Sequence, residues 1–253
     1  MNEERGVLDR GDGAPLAWAA LSGRGPRVVF LGGFRSDMEG SKALFLRDRC
    51  AESGHAFLRL DYSGHGVSGG MFEDGTVGRW AEDAAAIIEA RAPGPVVLVG
   101  SSMGGWIALL LARRWGESRV RAVVGLAAAP DFTEDLMPAD LSAAEREALA
   151  RDGVVRRPSP YGEPLPITAR LLEEGRNHLL LRGPIPFTNP VRLLQGMADP
   201  DVPWRHALRI VEALAGADVA LTLIKDGDHR LSRPEDLTLL WRKLLPLLGQ
   251  DGG

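Results

Sequence analysis

Ser102 stands at the centre of a G-x-S-x-G motif, which residues 100–104 form as Gly-Ser-Ser-Met-Gly. The apolar run 96–99 precedes this motif and the apolar run 106–111 follows it, which predicts a buried strand, a tight turn and a helix. A serine on such a turn exposes its hydroxyl at the end of a strand, above the N-terminus of the following helix. The motif therefore predicts a nucleophilic serine, against the alternative of a glycine-rich turn with an incidental serine.

A neutral serine is a weak nucleophile and needs an adjacent base that a third group orients. For a serine on a turn of this kind, the order along the chain is serine, acid, histidine. His229 fits this order, because it follows the last apolar strand, 219–224, and precedes the last helix. We therefore predict that His229 is the base. The other histidines precede the serine or lie in the interval 130–190 or in a helix: His55, His65, His178 and His206.

Two aspartates follow the apolar strand 191–194 and are candidates for the acid. Asp199 comes first off the strand, three residues after a turn glycine, and is the preferred candidate. Asp201 is the alternative acid, or else the N-cap of a helix that begins near Pro203.

The acyl-transfer intermediate carries an oxyanion, which two backbone N–H groups usually stabilise. One donor is expected at Met103, directly after the nucleophile. The other is expected in the glycine-rich segment 31–36, at the N–H of Phe34. A phosphate-binding loop is the competing interpretation of this segment, but it contains neither G-x-x-x-x-G-K nor G-x-G-x-x-G.

Strand and helix patterns alternate along the chain. After a short antiparallel hairpin at 7–21, turning at 11–13, the predicted strands are 27–31, 56–60, 96–99, 120–126, 191–194 and 219–224. The predicted helices are 41–53, 76–91, 105–115, 204–214 and 234–248. This alternation predicts an α/β fold, with a mostly parallel sheet and helices on both faces. Ligands of such sheets bind outside the carboxyl ends of the strands, where Ser102 is expected.

The interval 130–190 interrupts the alternation. It contains a helical pattern at 142–150 that opens with a capping box, a proline-rich stretch at 158–166 and a second helical pattern at 168–181. Because the interval leaves and re-enters the sheet at carboxyl ends of strands, we predict a lid over the active site; a surface excursion is the alternative. The predicted domains are an α/β core, 1–129 with 191–253, and this lid, 130–190. Some apolar lid residues are expected to line a pocket for an acyl group.

The composition is that of an ordinary globular protein, with 253 residues, 45% apolar and 25% charged. The net charge is −4 and the basic residues are spread along the chain, which argues against nucleic acid as a partner. The single cysteine, Cys50, excludes an internal disulfide framework and a cysteine metal cluster. The first residues lack a signal-peptide pattern and no apolar run is long enough for stable membrane insertion, so we expect a cytoplasmic location. The oligomeric state is not set by these features.

These motifs resemble those of the α/β-hydrolase superfamily, in its serine hydrolase branch. Residues 100–104 resemble its nucleophile elbow, and D-x-x-G-x-G-x-S at 61–68 resembles the turn after its second parallel strand. A closer likeness, over about residues 28–245, is to the mitochondrial palmitoyl-protein thioesterase group of the α/β-hydrolase domain family, also described as acyl-glucuronide esterases. The likeness is carried by G-F-x-S-x-M-x-G-x-K-A at 33–43, D-Y-S-G at 61–64, P-I-P at 184–186, G-M-x-D with V-P-W at 196–204, and D-H-R at 228–230.

The resemblance implies a catalytic triad of Ser102, Asp199 and His229, with no cofactor and no metal. It also implies a small-molecule or protein-linked acyl ester or thioester as substrate. The predicted function is therefore a serine hydrolase of carboxylic esters or acyl thioesters that forms an acyl-enzyme, with depalmitoylating or acyl-glucuronide esterase activity. The alternatives are a perhydrolase or carbon–carbon bond hydrolase on the same fold, and a ligand-binding protein without catalysis. Dehalogenases and most epoxide hydrolases are disfavoured, because they need an aspartate in place of Ser102.

Overall fold

A computed structural model describes residues 3–11, 13–159 and 162–249 of the chain. The described strands are β1 (Glu3–Leu8), β2 (Leu16–Leu21), β3 (Arg24–Leu31), β4 (His55–Leu60), β5 (Val96–Ser101), β6 (Val120–Leu126), β7 (Val154–Ser159), β8 (Gly162–Thr168), β9 (Val191–Gly196) and β10 (Val219–Ile224). The described helices are α1 (Ser41–Ser53), α2 (Val77–Arg91), α3 (Met103–Arg119), α4 (Phe132–Asp135), α5 (Met137–Asp140), α6 (Ala143–Asp152), α7 (Ala169–Gly175), α8 (Trp204–Ala213) and α9 (Pro234–Leu244), with short 3₁₀ helices at Phe72–Asp74, Arg176–His178 and Leu245–Leu248.

Eight strands form one sheet in the order β1-β2-β4-β3-β5-β6-β9-β10. The first two pairings, β1 with β2 and β2 with β4, are antiparallel, and the others are parallel. The predicted mostly parallel sheet is therefore confirmed. The hairpin predicted at 7–21 is confirmed as β1 and β2, although Asp12 of its predicted turn lies outside the described residues.

Helices pack on both faces of this sheet, because alternate strand residues point to opposite sides. In β5, Leu98 joins the core formed with α2, α3 and α8, whereas Val97 and Val99 join the core formed with α1 and α9. Residues of the strand are thus buried on both faces, as expected for a parallel sheet. The arrangement brings the carboxyl ends of β3, β5, β9 and β10 to one edge, from which the candidate site residues extend.

Most predicted elements have nearly the bounds that the sequence indicates. The helix 41–53 and the strands 120–126 and 219–224 match in full. Helix α3 continues to Arg119, but Gly116 has a φ of 69° that interrupts its helical geometry, one residue after the predicted end. Within the described residues, no helix is both long and apolar enough to cross a bilayer.

The interval 130–190 contains the elements α4 to α7 and the antiparallel pair β7 and β8. It leaves the sheet at the carboxyl end of β6, as predicted, but returns at the amino end of β9, because the two strands are parallel. Helix α6 begins with the predicted capping box, in which Ser142 and Glu145 bond each other's backbone N–H groups. The described residues of the proline-rich stretch, 158–159 and 162–166, belong to the antiparallel β7–β8 hairpin, whereas Pro160 and Tyr161 lie outside the described residues. Proline is tolerated there because each strand of a two-stranded ribbon has an unpaired edge.

Most apolar side chains of this interval are buried. Phe132, Leu171, Leu180, Ile185 and Phe187 belong to the large core beside α2 and α3. A smaller cluster lies within the interval itself and consists of Leu141, Leu149, Ile167 and Leu172. These side chains therefore fasten the interval to the sheet domain.

Candidate active site

Ser102 lies on a strained turn between β5 and α3. Its backbone has φ 53° and ψ −117°, a conformation that non-glycine residues rarely adopt. Three backbone hydrogen bonds hold it: the Ser102 N–H donates to the Leu126 carbonyl at 2.9 Å, and the Ser102 carbonyl accepts from Gly105 at 2.9 Å and Ala129 at 3.1 Å. Strain that the surroundings maintain in this way is typical of functional positions. The turn holds the half-buried Ser102 at the carboxyl end of the sheet.

The two glycines of the motif are required by close backbone contacts. A Cβ added to Gly100 would lie 2.2 Å from the Gly104 carbonyl oxygen, and one added to Gly104 would lie 2.1 Å from the Leu31 carbonyl oxygen. Both distances are far below van der Waals contact, and the obstructing atoms are backbone. The glycines therefore let the strand, the helix and the end of β3 meet at Ser102.

We expect Gly104→Ala to lower the free energy of unfolding by at least about 2 kcal/mol, because the methyl group must displace the Leu31 carbonyl. Gly94→Ala is the matched control, since a Cβ at Gly94 meets nothing within 4 Å. Denaturant titration of both variants measures the difference. Equal stabilities would show that the turn adapts to a side chain and that the close contact is not what selects glycine.

The structure brings the three residues of the predicted triad together. The Ser102 hydroxyl lies 3.2 Å from Nε2 of His229, and Nδ1 of His229 lies 2.9 Å from Oδ2 of Asp199. A carboxylate only accepts hydrogen bonds, so Nδ1 carries the proton and Nε2 is left as an acceptor for the serine hydroxyl. This is the tautomer that a base toward Ser102 needs.

Asp199 is enclosed by hydrogen-bond donors. Its side chain is fully buried, Oδ1 accepts the N–H groups of Asp201 and Val202 at 2.8 Å each, and Oδ2 accepts Nε2 of Gln195 at 3.0 Å as well as His229. Burial acts to raise the pKa of Asp199, but the hydrogen bond and charge of His229 and the two backbone bonds outweigh it, so the pKa lies below its ordinary value. The group is therefore ionised and fixed in orientation.

Asp201, the alternative acid, is exposed and contributes its backbone N–H to Asp199. It does not cap the next helix: α8 has Pro203 at its N-cap and no side-chain cap bond. Its carboxylate lies within 4.8 Å of ligand atoms of Asp199 and His229, a group that could in principle hold a metal ion. Two members of this group are already hydrogen-bonded to each other, which suits an acid–base pair. The expectation that no metal is needed stays a prediction.

The other four histidines lie elsewhere, and three of them have hydrogen-bond partners there. His55 is buried at the start of β4, away from the carboxyl edge. His65 bonds the Arg35 N–H at 3.2 Å, His178 bonds Glu174 at 2.5 Å, and His206 bonds the Pro130 carbonyl at 2.7 Å. Among the histidines that the structure describes, His229 alone lies within hydrogen-bond distance of Ser102.

The segment 31–36, here called the oxyanion loop, runs beside Ser102. A Cβ added to Gly33 would lie 3.4 Å from the Cβ of Ser102, so the loop backbone passes directly over the nucleophile. The Phe34 N–H has no hydrogen-bond partner among the residues that the structure describes, and Met103 begins α3 immediately after Ser102. Their roles as oxyanion donors stay predictions.

Two further side chains support the site, and the sequence analysis assigned neither. Gln195 is fully buried on β9 and donates to Asp199. Lys42 donates to the carbonyl of Arg230, the residue after His229, at 2.5 Å. Burial, with a smaller effect of the Arg230 charge, lowers the pKa of Lys42 to about 8. Lys42 belongs to a motif that carried the resemblance, but its contact across the chain has no local signal.

Comparison with known proteins identifies the family. Residues 28–239 match the profile described as the alpha/beta hydrolase family. The relative named palmitoyl-protein thioesterase ABHD10, mitochondrial, from Mus musculus is 39% identical over 235 residues, which are 92% of this chain and 78% of the relative. A crystal structure of an Agrobacterium vitis protein is 42% identical, with a TM-score of 0.93 and coverage of 98% of this chain and 100% of that one. The structure of alpha/beta hydrolase domain-containing protein 10 from mouse is 37% identical, with a TM-score of 0.88 and coverage of 96% and 98%.

These relatives confirm the predicted resemblance, the fold class and the hydrolase class of enzyme. The predicted cytoplasmic location is wrong, because the relatives are named as mitochondrial proteins. That prediction used the composition of the first residues, which does not determine where a protein resides. The matched profile covers most of the chain, and the chain belongs to the alpha/beta hydrolase family.

Proposed function

We propose that this protein is a serine hydrolase of acyl thioesters and carboxylic esters that acts through an acyl-enzyme on Ser102. The observation that supports this most is the continuous hydrogen-bonded series from the Ser102 hydroxyl to His229 and on to the buried Asp199. Each contact is within catalytic hydrogen-bond range, and the histidine tautomer suits a base.

The reaction follows from these contacts. The Ser102 oxygen attacks the acyl carbonyl carbon while Nε2 of His229 takes the hydroxyl proton, and Asp199 stabilises the imidazolium that forms. The carbonyl oxygen becomes an oxyanion, which the N–H groups of Phe34 and Met103 stabilise. Collapse expels the thiolate or alkoxide, which receives the proton from His229. Water then attacks the acyl-enzyme by the same steps, releasing the carboxylic acid and regenerating Ser102.

A fluorophosphonate probe tests this mechanism, because it phosphonylates a serine that an adjacent base activates. The probe is expected to attach to Ser102, which peptide mass spectrometry would locate. Labelling is expected to fall strongly in His229→Ala, whereas His206→Ala, which removes a histidine bonded to the Pro130 carbonyl, is the control. Unlabelled wild-type protein, or labelling at another serine, would contradict the proposal.

The substrate class is proposed from the relatives and from a groove near the oxyanion loop. The relatives are named palmitoyl-protein thioesterases. The groove has a volume of about 470 Å³ and is lined by the apolar Met71, Phe72, Pro164 and Pro166 and by the charged Arg35, Glu73 and Arg156. Arg35 directly follows Phe34 in the oxyanion loop. We place the acyl chain of a long-chain thioester in this groove.

The interval 130–190 acts as a lid in this proposal. Its hairpin provides Pro164 and Pro166 to the groove, and it is joined to the sheet domain at the groove by two contacts. Arg35 donates to the Pro164 carbonyl at 2.7 Å, and Arg156 pairs with Glu73 at 2.6 Å. The acyl pocket is therefore assigned to the hairpin rather than to the apolar side chains of the interval that are buried in the cores.

We expect kcat/KM to rise with acyl-chain length from acetyl to octanoyl. Each methylene that enters the groove contributes up to about 0.8 kcal/mol, which corresponds to about fourfold in kcat/KM. Acyl thioesters with one common thiol, assayed below the concentration at which micelles form, provide the measurement. A preference for acetyl would overturn the assignment of the groove.

Met71→Ser tests the groove directly, since Met71 is 66% exposed and its replacement leaves the core intact. The gain per methylene is expected to shrink in this variant. Leu208→Ser, on α8 and 39% exposed, is the matched control and is expected to leave the chain-length profile unchanged. The same profile in wild type and both variants would mean that the acyl chain binds elsewhere.

Neither Asp199 nor His65 should contribute an ionisation to the dependence of kcat/KM on pH near neutrality. The hydrogen bonds of Asp199 hold its pKa below the ordinary value despite its burial. Burial lowers the pKa of His65 to about 4, so this residue stays neutral. A base that accepts the serine proton must itself be unprotonated, so kcat/KM is expected to fall in acid. A kcat/KM that stays constant into acid, with chemistry limiting the rate, would contradict a histidine base.

A further inference from the structure

The oxyanion loop is held from one side by the turn that follows β4, residues 61–68, here called the β4 turn. This turn was identified from its D-x-x-G-x-G-x-S motif, and the proposed mechanism uses none of its side chains. Asp61 links this turn to the residues just after the oxyanion loop, since its carboxylate accepts the N–H of Met38 at 2.7 Å as well as that of Val67, within the turn, at 3.0 Å. Two other residues of the β4 turn reach the oxyanion loop itself.

Tyr62 bonds the peptide group that precedes the proposed donor. Its side chain is buried, and its hydroxyl donates to the Gly32 carbonyl at 3.2 Å. That carbonyl belongs to the Gly32–Gly33 peptide. The next peptide, Gly33–Phe34, carries the N–H that is proposed to stabilise the oxyanion.

His65 bonds the peptide group that follows the donor. It is 3% exposed, and its Nε2 lies 3.2 Å from the Arg35 nitrogen while its Nδ1 lies 3.2 Å from the Ser63 carbonyl oxygen. A backbone N–H only donates and a carbonyl only accepts, so the tautomer is fixed: Nδ1 carries the proton and Nε2 accepts. His65 is therefore a neutral acceptor, built into the core, for the Arg35 N–H.

Arg35 needs such a restraint. Its φ of 56° is in the left-handed region, which is unfavourable for a residue with a side chain. Conformations of this kind persist where surrounding contacts determine them. The hydrogen bond that the Arg35 N–H donates to His65 restrains the backbone of this strained residue directly.

We propose that Tyr62 and His65 are positioning residues of the oxyanion site, which fix the peptides on either side of the Gly33–Phe34 peptide and so aim its N–H at the substrate oxygen. The inference rests on the proposed function, since it takes the Phe34 N–H as an oxyanion donor. Positioning matters because an oxyanion donor acts only at hydrogen-bond distance from the developing charge. A displacement of about 1 Å in a catalytic site can reduce the rate about 100-fold.

A purely structural role would have different consequences. The His65 ring makes edge contacts with Phe72 and Trp80, with centroids 5.0 Å and 5.1 Å apart, and phenylalanine would keep such contacts. If packing were its only role, His65→Phe would leave catalysis unchanged. If the acceptor matters, the loss would concern the transition state and not the binding of the substrate in its ground state.

The test compares Tyr62→Phe, His65→Phe and His65→Gln with His55→Phe. His55 is the matched control, a buried histidine on β4 at the opposite end of the strand from the site. Glutamine keeps an acceptor oxygen for the Arg35 N–H. The measurements are kcat and KM with a soluble acyl ester, and the inhibition constant of a matched alkyl trifluoromethyl ketone, which forms a tetrahedral oxyanion adduct with the serine.

For His65→Phe we expect kcat to fall about 10- to 100-fold with KM nearly unchanged, and the ketone to bind more weakly by a similar factor. Tyr62→Phe should show the same pattern with a smaller loss, and His65→Gln should recover part of the rate. His55→Phe should keep wild-type kcat and ketone affinity. An unchanged kcat in both His65→Phe and Tyr62→Phe, or a fall in kcat without weaker ketone binding, would overturn the inference. If wild-type protein neither reacts with fluorophosphonate at Ser102 nor binds the ketone, the proposed function itself fails.

Discussion

Ser102→Ala is expected to abolish turnover while the protein stays folded. The hydroxyl is the only atom removed, and its contact is with Nε2 of His229, not with the core. Without it no acyl-enzyme forms, and kcat should fall by at least about 10³-fold. Hydrolysis of an acyl thioester measures the rate, and thermal unfolding of the same sample measures the integrity of the fold.

Ser101→Ala is the control for this prediction. Ser101 is the neighbouring serine of the same motif and the last residue of β5, and its side chain is nearly buried. It should keep most of the activity, because the backbone geometry of the turn comes from the glycines and from the hydrogen bonds of Ser102. Loss of activity in Ser101→Ala together with retained activity in Ser102→Ala would mean that the other serine is the nucleophile.

The elements of the sheet domain could be predicted because their signals are local. Apolar runs such as 120–126 and 219–224 are short, continuous and followed by polar residues, and both have the predicted bounds. The spacing of strand, G-x-S-x-G and helix also placed Ser102 at the sheet edge. Once Ser102 was placed there, His229 and Asp199 were expected nearby, since each follows a strand whose carboxyl end lies at the same edge.

The β7–β8 hairpin could not be predicted in the same way. Its strands contain Pro158, Pro164 and Pro166, which local propensity reads as an irregular segment. The strands form because their non-proline residues exchange backbone hydrogen bonds with the antiparallel partner strand. That pairing depends on contacts within the interval. Local sequence patterns do not indicate such a pairing partner.

The contacts that support the site could not be predicted from the sequence either. Gln195 and Asp199 are only four residues apart, but nothing in their spacing indicates that the amide faces the carboxylate. His65 and Arg35 are 30 residues apart and meet because β3 and β4 are neighbours in the sheet. Sequence reasoning therefore finds groups that react, whereas the groups that orient them become visible only with the tertiary structure.

Asp199→Asn is expected to lower kcat by about 10⁴-fold without unfolding the protein. Oδ1 accepts two backbone N–H groups, so the asparagine oxygen must occupy that position and its amide nitrogen must take the place of Oδ2. The amide would then donate to Nδ1 of His229, and the ring proton would move to Nε2. The serine hydroxyl would face a donor and could no longer give up its proton. Gln195 would lose its acceptor at residue 199, but its Nε2 keeps the carbonyls of Gly196 and Val202 as partners.

Asp201→Asn is the matched substitution and should cost far less. Its carboxylate is exposed, and its contribution to Asp199 is a backbone N–H that the substitution keeps. Its charge lies near His229 but is screened by water, so a change of a few fold is the most that we expect. The kcat of both variants, together with their fluorophosphonate labelling rates at Ser102, gives the ranking. A larger loss in Asp201→Asn than in Asp199→Asn would move the acid of the triad to Asp201, and the buried carboxylate would then serve only to hold the loop.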